Sequence, residues 1–328
     1  MSSKYSAVHA SPKGPGDARP TASQIIDDEG LEGKLSDKVI LITGCSSGLG
    51  VETARTLYRT GATIYATARD ITKAKAALSD IADSRVHFLN LDLNSLASVH
   101  ACAEEFKSKS TQLNILINNA GVMATPEGRT ADGFETQFGV NHLAHFLLFN
   151  LLEPVLLSSS TAAFHSRVVI LSSSGHRRST VDFENLNFDG TYDPWRAYGQ
   201  SKTANIWTAN EIERRYGAQG LHALSVHPGM ILTELSRHLP AEASAAVVES
   251  EEVRSILKNP EQGAATTVLA AVGSEFEDKG GLYLNNCEVA TPYDPASGYY
   301  GPGYATWAYD EEGAKKLWAK SLELVKLE

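Results

Sequence analysis

The stretch Val39-Ile40-Leu41-Ile42-Thr43-Gly44-Cys45-Ser46-Ser47-Gly48-Leu49-Gly50 constrains this chain more than any other. Four successive apolar residues, led by β-branched Val39 and Ile40, predict a strand buried on both faces, as in a parallel sheet. Glycines follow at 44, 48 and 50, and a helix-like run extends from Val51 to Arg59. A strand, a tight glycine turn and a helix N-terminus together form a phosphate cradle. The backbone can approach an anion closely there, and unpaired N–H groups of the first helical turn face it. The spacing is G-x-x-x-G-x-G rather than the general G-x-G-x-x-G. Such a loop also serves as an ordinary strand-to-helix turn, so the rest of the chain must decide.

It does so by alternation. Strands are expected at Thr63–Ala68, Val86–Leu93, Leu113–Ile117, Arg167–Leu171, Leu221–Val226 and Gly281–Asn285. Between them, helices are expected over Lys73–Ile81, Ser95–Lys107, Gly133–Leu157, Tyr198–Tyr216 and Pro260–Val272. With the first strand this predicts an α/β fold, a doubly wound parallel seven-stranded sheet with helices on both faces, as a single domain. The expected domain spans 37–287. It is preceded by a flexible arm over 1–36, rich in Ser, Pro, Gly and Lys, in which Ile25, Ile26 and Leu31 are the residues able to make a packed element instead. It is followed by an aromatic extension over 288–328.

Composition narrows the function classes. A formal net charge of −10 over 328 residues argues against nucleic acid or an anionic membrane as partner, since both select basic surfaces. No apolar run in the sequence is expected to span a bilayer, and no secretory signal is read at the N-terminus. The three cysteines, Cys45, Cys102 and Cys287, are scattered and odd in number, which predicts a reduced, cytoplasmic chain without disulfides. His142, His145, His222 and His227 show no metal-ligand spacing, so no metal is expected; Cys45 reads as a small filler.

In a doubly wound sheet, ligands sit outside the carboxyl ends of the strands. Those ends carry the glycine loop, Asp92, Asn118-Asn119-Ala120-Gly121, Ser173 and Pro228-Gly229. Turn chemistry explains any one of them, but not five in register. Tyr198 and Lys202 lie four apart on one helix face, where an ammonium would favour the phenolate and bring its proton towards working pH. These motifs together, T-G-x-x-x-G-x-G at Thr43–Gly50, N-N-A-G at Asn118–Gly121, Asn141-His142, Ser173, Y-x-x-x-K at Tyr198–Lys202 and P-G-x-x-x-T at Pro228–Thr233, resemble the short-chain dehydrogenase/reductase family over about Lys38–Asn286. The runs Tyr192–Lys202 and Phe138–Phe146 are similar to its retinol-dehydrogenase-like and WW-domain-oxidoreductase-like branch.

The resemblance implies a Rossmann domain that transfers hydride between a nicotinamide cofactor and a carbonyl or alcohol on a small molecule. Tyr198 would be the general acid or base, and Lys202 would lower its pKa and hold the ribose. Ser173, with Ser172 and Ser174 as alternates, would bond the substrate oxygen. Asn141 would hold a proton-relaying water, or else merely kink its helix. The cofactor cleft would be lined by Gly44, Ser46, Ser47, Gly48, Leu49 and Gly50, by Asp92 and Leu93 at the adenine, by Asn119, Ala120 and Gly121, and by Pro228, Gly229, Ile231 and Thr233 at the carboxamide. Strand two ends in Ala68-Arg69 rather than an acidic residue, so a 2′-phosphate and NADP(H) are favoured over NAD(H). The scattered apolar residues of 230–259 suggest a lid and a lipophilic or aromatic substrate. The tail aromatics can wall the pocket, dock a partner or cap the sheet. The resemblance also permits homodimers or homotetramers built on the helices after Gly133 and Ala197, and monomers too. Two rival readings keep the fold and the nucleotide without redox turnover, as an isomerase or cyclase or as a nucleotide-sensing scaffold.

Overall fold

The computed structural model describes residues 4–239 and 250–327. Its main elements, in chain order, are first α1 (Ala22–Asp28), β1 (Val39–Thr43), α2 (Leu49–Tyr58), β2 (Thr63–Ala68), α3 (Ile71–Ala77) and β3 (Val86–Asn90). They continue with α4 (Leu96–Lys109), β4 (Ile115–Asn118), α5 (Thr136–Ser159), β5 (Ser166–Leu171), α6 (Pro194–Tyr216) and β6 (Leu221–His227). The last are α7 (Ala265–Val272), β7 (Leu282–Asn285), β8 (Glu288–Val289) and α8 (Glu311–Leu324). The sheet order is β8-β7-β6-β5-β4-β1-β2-β3, parallel from β3 to β7. Two apolar cores flank it, one built on α4, α5, α6 and α8, the other on α1, α2 and α7. The order reverses between β1 and β4, and the cleft opens at that switch point.

The sheet has eight strands, one more than the alternation suggests. Asn286 and Cys287 both have positive φ and form a two-residue turn that sends Glu288–Val289 back antiparallel to β7. A two-residue strand without an Asn-Gly turn leaves no sequence pattern to read.

The N-terminal arm is packed, not flexible, over its described length. Thr21 caps α1, whose Ile25 and Ile26 are fully buried in the core shared with α7. Arg19, 4% exposed, donates to the carbonyls of Gly14, Ile256 and Leu257 and pairs with Asp17 at 2.8 Å. Burying two isoleucines contributes roughly 1.5–3 kcal/mol each before ordering costs, enough to hold a polar segment down.

The extension divides in two. Tyr293, Ser297 and Tyr299–Gly303 line the cleft, whereas α8 lies over α5 and α6: Trp318 meets Phe146 edge-on at 4.9 Å, and Ser321 bonds His142 at 2.8 Å. The same chain thus covers part of the two helices on which the resemblance would build an oligomer. By length and composition alone α5 could cross a membrane, but most of it is buried in the first core, which accounts for its apolar character. Residues 240–249, in the middle of the expected lid and including Val247 and Val248, lie outside the described residues. The flanks of that segment pair as a short parallel ribbon, Met230–Ile231 with Leu257–Lys258.

Ile25→Ala should cost roughly 2–5 kcal/mol of stability in a urea titration, the loss expected of a core isoleucine. A cost within about 0.5 kcal/mol, typical of exposed sites, would mean the arm is not docked.

Candidate functional site

A cleft of about 1580 Å³ runs along the carboxyl ends of the parallel strands and gathers almost every residue singled out by the sequence. At its base β1 passes into the glycine loop. Gly44 has φ of +79°, and a Cβ there would lie 2.8 Å from the Cβ of Ala120. Only glycine lets the loop after β1 approach the turn after β4 so closely. Gly48 caps α2 without a side chain, leaving the helix's first N–H groups directed at the cleft. The helix begins at Leu49, two residues before the sequence reading.

Thr43 joins the two turns. Its Oγ1 accepts from the backbone N–H of Asn119 at 2.9 Å and of Ala120 at 3.0 Å, and lies 2.9 Å from Nε2 of His145. With both lone pairs engaged, the hydroxyl proton goes to Nε2, so the His145 proton sits on Nδ1 and is donated to the carbonyl of Asn141 at 3.1 Å. Burial pushes His145 down to about 4, consistent with that neutral tautomer. Sequence reading missed this chain, and with Thr43 and His145 102 positions apart no spacing could reveal it.

Asn141 lies in a π-helical turn, Gly139–Leu143, at the start of α5. Such bulges recur at functional sites because they swing one residue out of the helical repeat. Both amide protons of Asn141 are engaged, by the Val122 carbonyl and by Ser201 Oγ, each at 2.9 Å, and its Oδ1 accepts from Val122 N–H at 2.8 Å. Its side chain therefore positions the Gly121–Val122 backbone.

Ser173, Tyr198 and Lys202 meet on the cleft floor. The Ser173 hydroxyl and the Tyr198 ring both lie against Gly175. A Cβ on Gly175 would lie 2.7 Å from Cε1 of Tyr198, so glycine there is what lets the loop after β5 lie on the ring. Of the alternates, Ser172 is occupied, donating to the Lys202 carbonyl at 2.8 Å. Lys202 donates from Nζ to the Leu171 carbonyl at 2.9 Å and lies 5.6 Å from the centre of the Tyr198 ring. Burial pushes Lys202 down to about 7 and Tyr198 up to about 12, the latter opposed by the nearby Ser173 hydroxyl. Burial is the larger cause at both groups.

The remaining positions line the same cleft. Ser46, Ser47, Leu49, Asp92, Leu93, Asn119, Gly121, Pro228, Gly229, Ile231 and Thr233 all border it, while Gly50 packs behind, where a Cβ would meet the Gly44 carbonyl oxygen at 2.3 Å. Arg69 stands exposed at the rim, and Asp70, which could have paired with it, instead caps α3 through the Lys73 N–H. The mouth is aromatic: Trp195, Tyr293, Tyr299 and Tyr300 surround Arg177 and Arg178, with Arg177 3.9 Å over the Tyr293 ring and Arg178 4.7 Å over Trp195. His9, Pro12 and Arg19 of the arm border it as well, which no sequence motif suggests. His222, expected to be without ligand company, has some: it faces His165 and Asp278 far from the cleft.

Comparison with known proteins agrees with this geometry. The short chain dehydrogenase family model matches residues 38–244. The short-chain dehydrogenase/reductase prx1 of Penicillium roqueforti is 51% identical over 325 residues, covering 99% of this chain and 95% of that protein. Retinol dehydrogenase 12 of Mus musculus is 37% identical over 296 residues, covering 89% of this chain and 87% of that protein. A Mycobacterium paratuberculosis crystal structure superposes with a TM-score of 0.66 at 36% identity, covering 88% of this chain and 93% of the other. With the strand-end motifs gathered in one cleft and the family model spanning most of the sheet, the chain belongs to the short-chain dehydrogenase/reductase family.

Proposed function

We propose that the protein is an NADP(H)-dependent oxidoreductase that interconverts a carbonyl and an alcohol on a lipophilic or aromatic small molecule. The observation that carries this reading is the meeting of Ser173, Tyr198 and Lys202 beside the glycine cradle in one cleft.

The cradle suits a dinucleotide. The glycine loop bordering the cleft, together with the uncapped first turn of α2, fits a pyrophosphate. Asp92 and Leu93 fit the adenine end, and Pro228, Gly229, Ile231 and Thr233 the nicotinamide end. An exposed guanidinium without an ion-pair partner among the described residues makes Arg69 a fitting partner for a 2′-phosphate. When bound, the nicotinamide supplies or accepts the hydride.

The chain's own residues handle the proton. With its pKa raised to about 12, the Tyr198 phenol is protonated at neutral pH and acts as donor to a carbonyl oxygen in reduction. Ser173 Oγ, beside it, orients that oxygen. Lys202, lowered to about 7, exchanges a proton near neutrality and holds the ribose. Leu232, Leu235, Met123 and the aromatic mouth give an apolar substrate its contacts.

Tyr198→Phe should abolish NADPH oxidation with lipophilic ketones, aldehydes and quinones while NADPH affinity stays within about threefold, a change worth roughly 0.6 kcal/mol. Retained turnover would move the acid elsewhere. Arg69→Ala should weaken NADPH at least tenfold with NADH little changed, as fluorescence titration would read; equal losses would assign Arg69 no phosphate role.

A third expectation concerns pH. The native state releases the Lys202 proton near pH 7, whereas the unfolded chain holds it to about 10.5. Between those values the unfolded state binds more protons, so this group makes stability rise with pH across that window. Lys202→Met should therefore raise the urea midpoint of the cofactor-free protein at pH 7 and flatten the rise towards pH 9. The Leu171 carbonyl keeps a donor in Asn205 Nδ2 at 2.9 Å. An unchanged midpoint and slope would place Lys202 in a wetter site.

A further inference from the structure

The end of the sheet away from the cleft carries a second cluster of chemistry-bearing side chains. His165 immediately precedes β5, His222 is the second residue of β6, and Asp278 stands in the turn before β7. Nε2 of His222 and Nδ1 of His165 are 3.3 Å apart, and Nδ1 of His165 is 3.1 Å from Oδ1 of Asp278. All three atoms lie within 4.8 Å of one another. We propose that His165, His222 and Asp278 bind a divalent transition-metal ion of the zinc type, with Glu213 as the positioning carboxylate.

Four observations support this. First, two of the three ligand spacings, 3.3 and 3.1 Å, are close to what the ion needs, since bonds of about 2.0–2.2 Å in a tetrahedral site hold ligand atoms roughly 3.3–3.5 Å apart. Second, the tautomer of His222 is fixed from behind. Its Nδ1 lies 3.0 and 3.1 Å from the two oxygens of Glu213, so the proton sits there and the Nε2 lone pair points at His165. Glu213 is itself held, accepting from Ala223 N–H at 3.3 Å, in a space that exists because residue 280 is glycine; a Cβ there would lie 1.9 Å from Oε2.

Third, a proton alone serves the cluster poorly. One N–H on His165 Nδ1 would face three acceptors, the Glu277 carbonyl at 3.2 Å, Asp278 Oδ1 and His222 Nε2. A cation between the two imidazoles and the carboxylate satisfies them together. Fourth, the local charge favours a cation. Glu277 is taken by Arg167, but neither Glu213 nor Asp278 has a lysine or arginine ion pair among the described residues. His222 is buried, His165 half-buried and Asp278 exposed, so one side stays open for a water ligand and for entry. Two imidazoles and one carboxylate select zinc, cobalt or nickel over magnesium or calcium. The ion would tie the starts of β5 and β6 to the turn before β7, independently of hydride transfer.

The test uses the untagged full chain, freed of metal by chelation and titrated separately with Zn²⁺ by calorimetry and with Co²⁺ by visible absorption. The expected result is one saturable equivalent per chain, a four-coordinate cobalt spectrum and a raised thermal midpoint with zinc. His222→Ala should abolish that equivalent, and Glu213→Gln should weaken it about 10–100-fold. His100→Ala, an exposed histidine elsewhere, should leave it intact. Should His222→Ala fail to fold by circular dichroism, His165→Gln, at a half-buried position, carries the same expectation. No saturable equivalent, several weak equivalents only, or binding that survives loss of His165 would overturn the proposal.

Discussion

One hydroxyl group, that of Thr43, holds the site's elements in register. It receives the N–H groups of Asn119 and Ala120 and gives its proton to His145, so the end of β1, the turn after β4 and the π turn of α5 are fixed together. The missing Cβ of Gly44 is what makes that closeness possible. From this junction the cradle faces one way along the cleft and the Tyr198 helix lies opposite, held to the π turn through Ser201 and Asn141. A buried hydrogen-bonded chain of this kind tolerates no partial occupancy, because each unpaired member would carry the full desolvation cost.

Burial also sets the electrostatics. Lys202 and Tyr198 both lie in the interior, and the same desolvation that lowers the ammonium raises the phenol. Serine and glycine at 173 and 175 decide the phenol's contacts more directly than the lysine does.

Both termini, outside the repeating βα pattern, build the walls of the cleft. The arm reaches it through His9, Pro12 and Arg19 and holds the segment Ser255–Leu257, one side of the expected lid, by its arginine. The extension supplies Tyr293, Tyr299 and Tyr300 before α8 turns away to cover α5 and α6.

What the sequence determined by itself was whatever local periodicity and strand-end chemistry encode. Apolar runs separated by helical patterns gave the doubly wound sheet, and glycines at fixed offsets with Tyr198 and Lys202 one turn apart gave the site's floor, because those constraints act within a few residues. The eighth strand, the docking of Ile25 and Ile26, the Thr43–His145–Asn141 chain and the facing of His222 with His165 were decided only in three dimensions. Each joins residues tens to hundreds of positions apart, where loop closure rather than local propensity selects the partner. A polar arm with two isoleucines is indistinguishable from a flexible one until the groove that buries them exists. Likewise, the order of Tyr198 and Lys202 along a helix could not show how completely the cleft would bury both.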